Sequence, residues 1–138
     1  MAESFNHFNE LADAFHTAIS QTVRKAAFDV QAAAATGAPV DTGFLRNSIY
    51  VETATDSTYG QGAGSPPKDS SLLPEVEKPE DDLTAYIGVG ASYGVYVEMG
   101  TVHMPAHPYL APAVEQVRPN FEKALSKIEE KMREVAGV

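Results

Sequence analysis

The stretch FNHFNELADAFHTAISQTVRKAAFDVQAAAA, residues 5–35, decides the fold. Its apolar residues recur every three or four positions, which is the spacing of one face of an α-helix. Gly37 and Pro39 follow and are typical of a helix end. The sequence therefore predicts a long amphipathic helix over about residues 5–35, with this apolar face: Phe5, Phe8, Leu11, Ala12, Phe15, Ile19, Val23, Ala26, Ala27, Val30 and Ala33.

This helix is too long for a domain of the expected size. Roughly 30 helical residues span about 45 Å. The chain has 138 residues, and a compact domain of that length has a radius of gyration of ~14 Å, hence a diameter of about 37 Å. An apolar helix face that extends beyond its domain must be buried against another surface, because large exposed apolar patches are rare on soluble monomers. We therefore expect neighbouring copies or another protein to contact its first turns, and the suspected interface residues are Phe5, Phe8, Leu11 and Phe15.

Composition limits the classes of function. Hydrophobic residues make up 43% and charged residues 21%, which is typical of one globular domain, here residues 1–138. The net charge of −9 disfavours binding to nucleic-acid phosphates. The absence of cysteine excludes disulfides, thiol nucleophiles and cysteine-based zinc sites. The lack of cysteine also suits synthesis in a reducing cytoplasm. No apolar run reaches the ~18 residues of a membrane span, so we expect no membrane contact.

Two short segments in the middle of the chain alternate apolar and polar residues. Residues 48–53 and 83–89 are predicted strands, and they should pair as a small antiparallel hairpin or meander. Between them, residues 55–82 are rich in glycine, proline and acidic side chains. This stretch exceeds the ~12–15 residues usual for a loop in a compact domain. It predicts a flexible acidic insertion.

The last third of the chain is predicted to be helical. Residues 92–99 form a short helix that Gly100 ends, and residues 101–108 form a proline-rich turn. Residues 109–135 repeat the three-four apolar spacing, with Pro112 in the first turn, where proline is tolerated. The predicted fold class is α+β: a long N-terminal helix, a small antiparallel sheet with a long acidic loop, a short helix and a long C-terminal helix.

The glycines that follow the second strand do not form a nucleotide site. Gly88, Gly90 and Gly94 miss the G-x-G-x-x-G spacing by one residue. No later hydrophobic strand completes a βαβ unit, and none supplies an acid for a ribose. These glycines are better explained as a tight connection between strand and helix.

Histidines and acidic residues suggest a metal site or a catalytic triad only weakly. His103 and His107, with Glu98 nearby, are ligand types for zinc or iron, but prolines prevent the regular helix that would align them. Asp41, Ser48 and His107 could be drawn as a triad, yet no nucleophile elbow surrounds the serine. We predict no catalytic, cofactor-binding or metal-binding residue, no cofactor and no enzymatic activity.

Three segments occur in an order that resembles a known family. APVDTGFLRNSI (38–49), YGVYVEMGT (93–101) and PYLAPA (108–113) resemble the head-to-tail connector family of long-tailed bacteriophages. This is the neck or tail-completion family typified by the tenth gene product of a lambdoid phage. The structural motif residues are Pro39, Asp41, Thr42, Gly43, Leu45, Arg46, Tyr93, Tyr96, Glu98, Gly100, Thr101, Pro108, Tyr109, Leu110 and Pro112.

The resemblance implies an α+β subunit of the virion that forms a homo-oligomeric ring at the head–tail junction, with six and twelve copies as the candidates. Implied partners are the head-completion or adaptor proteins and the tail proteins, while DNA passes through without specific binding. The chain departs from the family pattern at Phe44, where a basic or polar residue is usual, and in the insertion.

Three questions stay open at the level of sequence. Arg46 and Glu98 could form an ion pair that holds the motif turns together. Tyr93, Tyr96, Met99 and Tyr109 could pack the junction between sheet and helix, line a subunit contact, or do both. The alternative function is a non-enzymatic protein-binding module whose acidic loop and long helix contact a basic partner.

Overall fold

A computed structural model describes residues 2–39, 44–59, 78–91 and 93–137. The elements run in the predicted order and confirm an α+β fold. They are α1 Ala2–Gly37, α2 Phe44–Asn47, β1 Ile49–Glu52, β2 Tyr86–Val89, α3 Gly94–Met99 and α4 Leu110–Ala136.

The first helix is longer than predicted. It spans 36 residues, which corresponds to about 54 Å. It begins at Ala2 rather than near Phe5 and ends at Gly37, where the sequence places its stop. The Ala38 amide still donates to the Ala34 carbonyl oxygen over 2.9 Å, so the chain leaves the helix just before Pro39.

The second long helix lies antiparallel along the first. Val30 and Ala34 of α1 share a core cluster with Ala113 and Val117 near the start of α4. At the other end, the first turns of α1 contact the last turns of α4. The N-terminal helix therefore does not overhang alone, because α4 extends beside it as the second arm of a helical hairpin.

The sheet has two antiparallel strands, as predicted. Ile49 pairs with Val89 and Val51 with Ile87, so these four apolar side chains share one face. The second strand is shorter than predicted and begins at Tyr86. Its partner strand ends at Glu52, since Thr53 and Asp56 close a turn there through two hydrogen bonds of 2.8 Å. Residues 83–85 are left without a partner strand in the described part of the chain.

The core occupies only one end of the hairpin. Its buried cluster is formed by the C-terminal half of α1, the sheet, α2 and the first turns of α4. Neither residues 8–26 of α1 nor residues 118–137, which are the rest of α4 and Gly137, include a buried residue. We call residues 8–26 and 118–137 together the distal hairpin. Its inner end still meets the sheet, because Ala26 packs against the core cluster and Val23 lines a pocket with Ile87 of β2.

Candidate functional site

The three sequence motifs meet around the side chain of Tyr109. This ring is 1% exposed, and its hydroxyl donates to the Gly94 carbonyl oxygen over 2.9 Å. Burial, with smaller contributions from the nearby Glu98 and Tyr93, raises the pKa of Tyr109 to about 12. The hydroxyl is therefore a permanent donor at neutral pH, and it ties the start of α4 to the start of α3.

Gly94 is the contact point of that junction. A Cβ atom there would lie 2.6 Å from Val89 Cγ1, 2.9 Å from the Tyr109 hydroxyl and 3.3 Å from Leu45 Cδ1. Separations under 3.0 Å are repulsive, so only glycine fits without movement of its neighbours. Leu45 of the first motif, Gly94 of the second and Tyr109 of the third thus form one packed unit.

Glu98 caps the N-terminus of α4. Its Oε2 accepts from the amides of Tyr109 and Leu110 over 2.7 and 2.9 Å, and its Oε1 accepts from the Ala111 amide over 3.0 Å. Burial alone would raise the pKa of Glu98. The three backbone hydrogen bonds outweigh it and hold the pKa below its ordinary value. The carboxylate satisfies amides that a helix cannot satisfy itself and opposes the positive end of its dipole.

The ion pair between Arg46 and Glu98, left open by the sequence, is not formed among the described residues. Both Glu98 oxygens are occupied by α4 amides, and no described ion pair includes Arg46. Arg46 Nε is buried and has no hydrogen-bond partner among the described residues. The Glu98 cap and the Tyr109 hydroxyl join the second and third motifs, and the first motif packs against them through Leu45.

The turn after α3 is held in one shape by hydrogen bonds. Gly100 has a φ of +80°, a left-handed value that favours glycine. The Thr101 amide donates to the Met104 carbonyl oxygen over 2.8 Å, and the Met104 amide donates back over 3.3 Å. The His107 amide donates to the Val97 carbonyl oxygen over 2.8 Å. Residues 101–108 are nevertheless all exposed, so this turn projects from the molecule.

Large apolar side chains are exposed on α3 and this turn. Tyr96 is 56% exposed, Met99 75% and Val102 97%. Tyr93 and Met104 are exposed to a lesser degree. The tyrosine and methionine residues of the second and third motifs therefore separate into two roles: Tyr109 packs the junction, while Tyr93, Tyr96 and Met99 are exposed. We call Tyr96, Met99, Val102 and Met104 the apolar knob.

A second apolar surface lies at the opposite end of the hairpin. Phe8, Leu11 and Phe15, three of the suspected interface residues, line a groove of ≈ 480 Å³ between the first turns of α1 and the last turns of α4. Phe8 is 68% exposed. The side chain of Phe5 lies outside the described residues. We call this the distal groove; its apolar lining is Phe8, Leu11, Phe15, Ile19, Met132 and Val135.

The remaining motif residues surround the junction. Pro39 lines a cavity with Val97 and Pro108, so the ends of the first and third motifs face each other. Pro112 is exposed in the first turn of α4, as predicted. Asp41, Thr42 and Gly43 lie outside the described residues.

Both ends of the predicted insertion contact the helix. Asp56 pairs with Arg24 at 2.6 Å, and Asp82 pairs with His16 at 2.7 Å. The side-chain hydrogen bond from Arg24 lowers the pKa of Asp56. Pro79 is buried. Residues 60–77 of the insertion lie outside the described residues.

Sequence reasoning missed two features of the site. The capping role of Glu98 has a partial signal, an acidic residue upstream of a helix that lacks a capping side chain at Tyr109. Glu52 is 1% exposed, and among the described residues only its Oε1 has a partner, the Ser57 hydroxyl. A buried carboxylate at the end of a strand has no local sequence signal.

Within the part of the chain that the structure describes, no three His, Asp or Glu side chains are placed to hold a metal ion. His103 and His107 are both exposed. Among the described helices, none is long and apolar enough to cross a bilayer.

Comparison with known families agrees with the geometry. The α+β fold leaves two apolar surfaces exposed, and residues 6–100 match the family described as "Bacteriophage HK97-gp10, putative tail-component". Because this match covers more than half of the chain, the chain belongs to that family of bacteriophage tail components. The third motif and α4 lie beyond the matched residues. No curated protein and no solved structure matches the chain.

Proposed function

We propose that this chain is the subunit of a ring at the phage head–tail junction. The ring joins the DNA-filled head to the tail and leaves a channel for DNA. The observation that carries the proposal is the distal hairpin, which exposes apolar side chains on two helices and contains no buried residue among those described. Membership in a family of phage tail components supports a structural role in the virion.

Burial energetics favour assembly over an isolated subunit. Fully burying a side chain such as Phe, Met or Val contributes roughly 1.5–3 kcal/mol. Much of this burial free energy is missing in one copy for Phe8, Met132 and Val135, since they are 68%, 41% and 45% exposed. Contact with a neighbouring copy would bury these side chains and supply it. A stable interface buries about 1,600 Å² in total, and repetition of one heterologous contact closes a ring, for which six or twelve copies remain the candidates.

Charge supports passage of DNA without specific binding. Each copy contributes a net charge of −9, so a ring of any size is strongly acidic. Phosphates bind proteins chiefly through lysine and arginine contacts that release counterions. An acidic ring offers few such contacts, so DNA would move through it freely. Its lasting partners are then the adaptor proteins of the head and the tail proteins, with no enzymatic step and no cofactor.

Light scattering of the purified protein after size-exclusion chromatography tests the proposal. We expect one species with a mass that is a multiple of 14.8 kDa. Phe8→Asp should shift it toward monomer, because it places a charge in the distal groove. Ser126→Asp adds the same charge at an exposed α4 position outside the groove lining and should leave the mass unchanged. A monomer of the unaltered chain at high concentration would contradict the proposal.

A further inference from the structure

We propose that the apolar knob of one copy inserts into the distal groove of the next copy around the ring. The inference rests on the proposed ring and assigns its repeating contact to named surfaces. The occupant of the groove is thus a second copy of this chain, and the contact is heterologous, with a different surface on each side.

The shape of the knob suits insertion. Val102 lies at its tip and is 97% exposed. The hydrogen bonds between Thr101 and Met104, and between His107 and Val97, fix the turn before any partner arrives. The Thr101 hydroxyl also accepts from the His103 amide over 3.2 Å. A turn already ordered in the free subunit loses little conformational entropy on binding, which favours association.

The exposed area is sufficient for a stable contact. Tyr96, Met99, Val102 and Met104 are 56%, 75%, 97% and 36% exposed, and the adjoining Tyr93 and Val95 are 40% and 55% exposed. Their summed exposed area is on the order of several hundred Å², comparable with the ~800 Å² that each partner contributes to a stable interface.

A single copy cannot bring the two surfaces together. The knob adjoins the first turn of α4, where Glu98 caps the helix, whereas Met132 and Val135 of the groove lie near its end. From Leu110 to Val135 the helix extends about 38 Å. The knob of the same copy therefore cannot cover the groove, and no other described residue does so.

The positions of the surfaces favour knob-to-groove contact over groove-to-groove contact. Two grooves facing each other would form a closed two-fold pair and leave both knobs in water. Knob-to-groove contact covers both surfaces of every copy, and its repetition allows a ring to close.

Site-specific crosslinking tests this contact. Because the chain contains no cysteine, each introduced thiol is unique. Val102→Cys and Val135→Cys proteins, distinguished by an affinity tag on one, are mixed under assembly conditions and treated with a short bis-maleimide. We expect crosslinked dimers that contain one of each variant, and little product from either variant alone. The double variant should give a ladder that ends at the copy number of the ring.

The control pairs Val102→Cys with Ser126→Cys, whose thiol lies on α4 outside the groove lining, and should crosslink poorly. Crosslinks between two Val135→Cys chains, or equal reaction with Ser126→Cys, in a ring of normal mass would overturn the knob-to-groove contact. The proposed ring itself would not be contradicted. Failure of the unaltered chain to assemble would overturn both.

Discussion

The Glu98 carboxylate is the hydrogen-bond acceptor for three amides of the first α4 turn. Glu98→Gln keeps the shape of the side chain but removes its charge from the positive end of the helix dipole. We expect the free energy of unfolding to fall by about 1 kcal/mol at pH 7, measured by urea denaturation. Glu122→Gln, an exposed α4 position, is the control and should change stability little.

The difference in unfolding free energy between wild type and Glu98→Gln should depend on pH in a defined direction. The folded-state pKa of Glu98 is lowered, so its stabilisation is present above the unfolded-state pKa, about 4.3. It is lost as the pH falls through the folded-state pKa. The difference between wild type and Glu98→Gln should therefore be full at pH 6–7 and shrink toward pH 3. An unchanged difference at low pH would show that the charge does not contribute.

Gly94→Ala tests the packing of the three motifs. Its new methyl group would lie 2.6 Å from Val89 Cγ1 and 2.9 Å from the Tyr109 hydroxyl, so we expect a loss of about 1–3 kcal/mol in the free energy of unfolding. Gly37→Ala introduces the same methyl group in a helix with no atom within 4 Å and should be neutral or stabilising by up to about 1 kcal/mol. Equal stability of the two variants would contradict the packing.

At the scale of single residues, the sequence predicts which residues belong to the motifs but not which groups their side chains contact. The opposite charges of Arg46 and Glu98 in two motifs make an ion pair conceivable from the sequence. The true partners of Glu98 are backbone amides 11 to 13 residues further along the chain. Local capping patterns span about three residues, so a cap that returns across an intervening turn cannot be recognised before the path of that turn is known.

At the scale of elements, the two long helices follow from local periodicity and were predicted within a few residues. The length of β2 was not predicted correctly, because a strand ends where its partner ends. Here β1 stops at the turn that Thr53 and Asp56 close. The antiparallel arrangement of α1 and α4 likewise depends on contacts between residues distant in sequence.

The distal hairpin should be the least stable part of an isolated subunit. Without buried residues, its amides should exchange with solvent through local opening at lower free energy than those of the proximal core. Hydrogen–deuterium exchange by mass spectrometry, in dilute and assembled samples, measures this directly. We expect residues 8–26 to exchange faster than residues 27–37 when dilute and to gain protection on assembly. Uniform protection of α1 in the dilute sample would contradict the expectation.

Gly100 sets the shape of the apolar knob. Gly100→Ala combines a positive φ with a Cβ atom 2.8 Å from the Ala106 amide nitrogen, whereas Gly137→Ala has a positive φ and open space. At Gly137, where ψ is 25°, a left-handed alanine costs roughly 1–2 kcal/mol. At Gly100, ψ is 172°, a backbone region that is essentially restricted to glycine. Urea denaturation should therefore show a larger loss for Gly100→Ala than for Gly137→Ala. If the two losses are equal, the tight approach at Gly100 does not constrain the turn.

At the scale of the whole molecule, the length of the first helix indicates that part of its apolar face exceeds what one domain can bury. The structure refines this expectation, because α4 accompanies α1 and shelters it partly, yet both surfaces of the proposed contact stay open. Composition could not show where the second surface lies, since the knob depends on the turn that Gly100 and Thr101 form.

Electron microscopy of the assembled protein, viewed along its axis, tests the account most directly. We expect closed rings of one copy number, with a central channel and the helical hairpins of adjacent subunits in contact. Solitary subunits at concentrations where the apolar surfaces should be covered, or two-fold dimers without a channel, would contradict it.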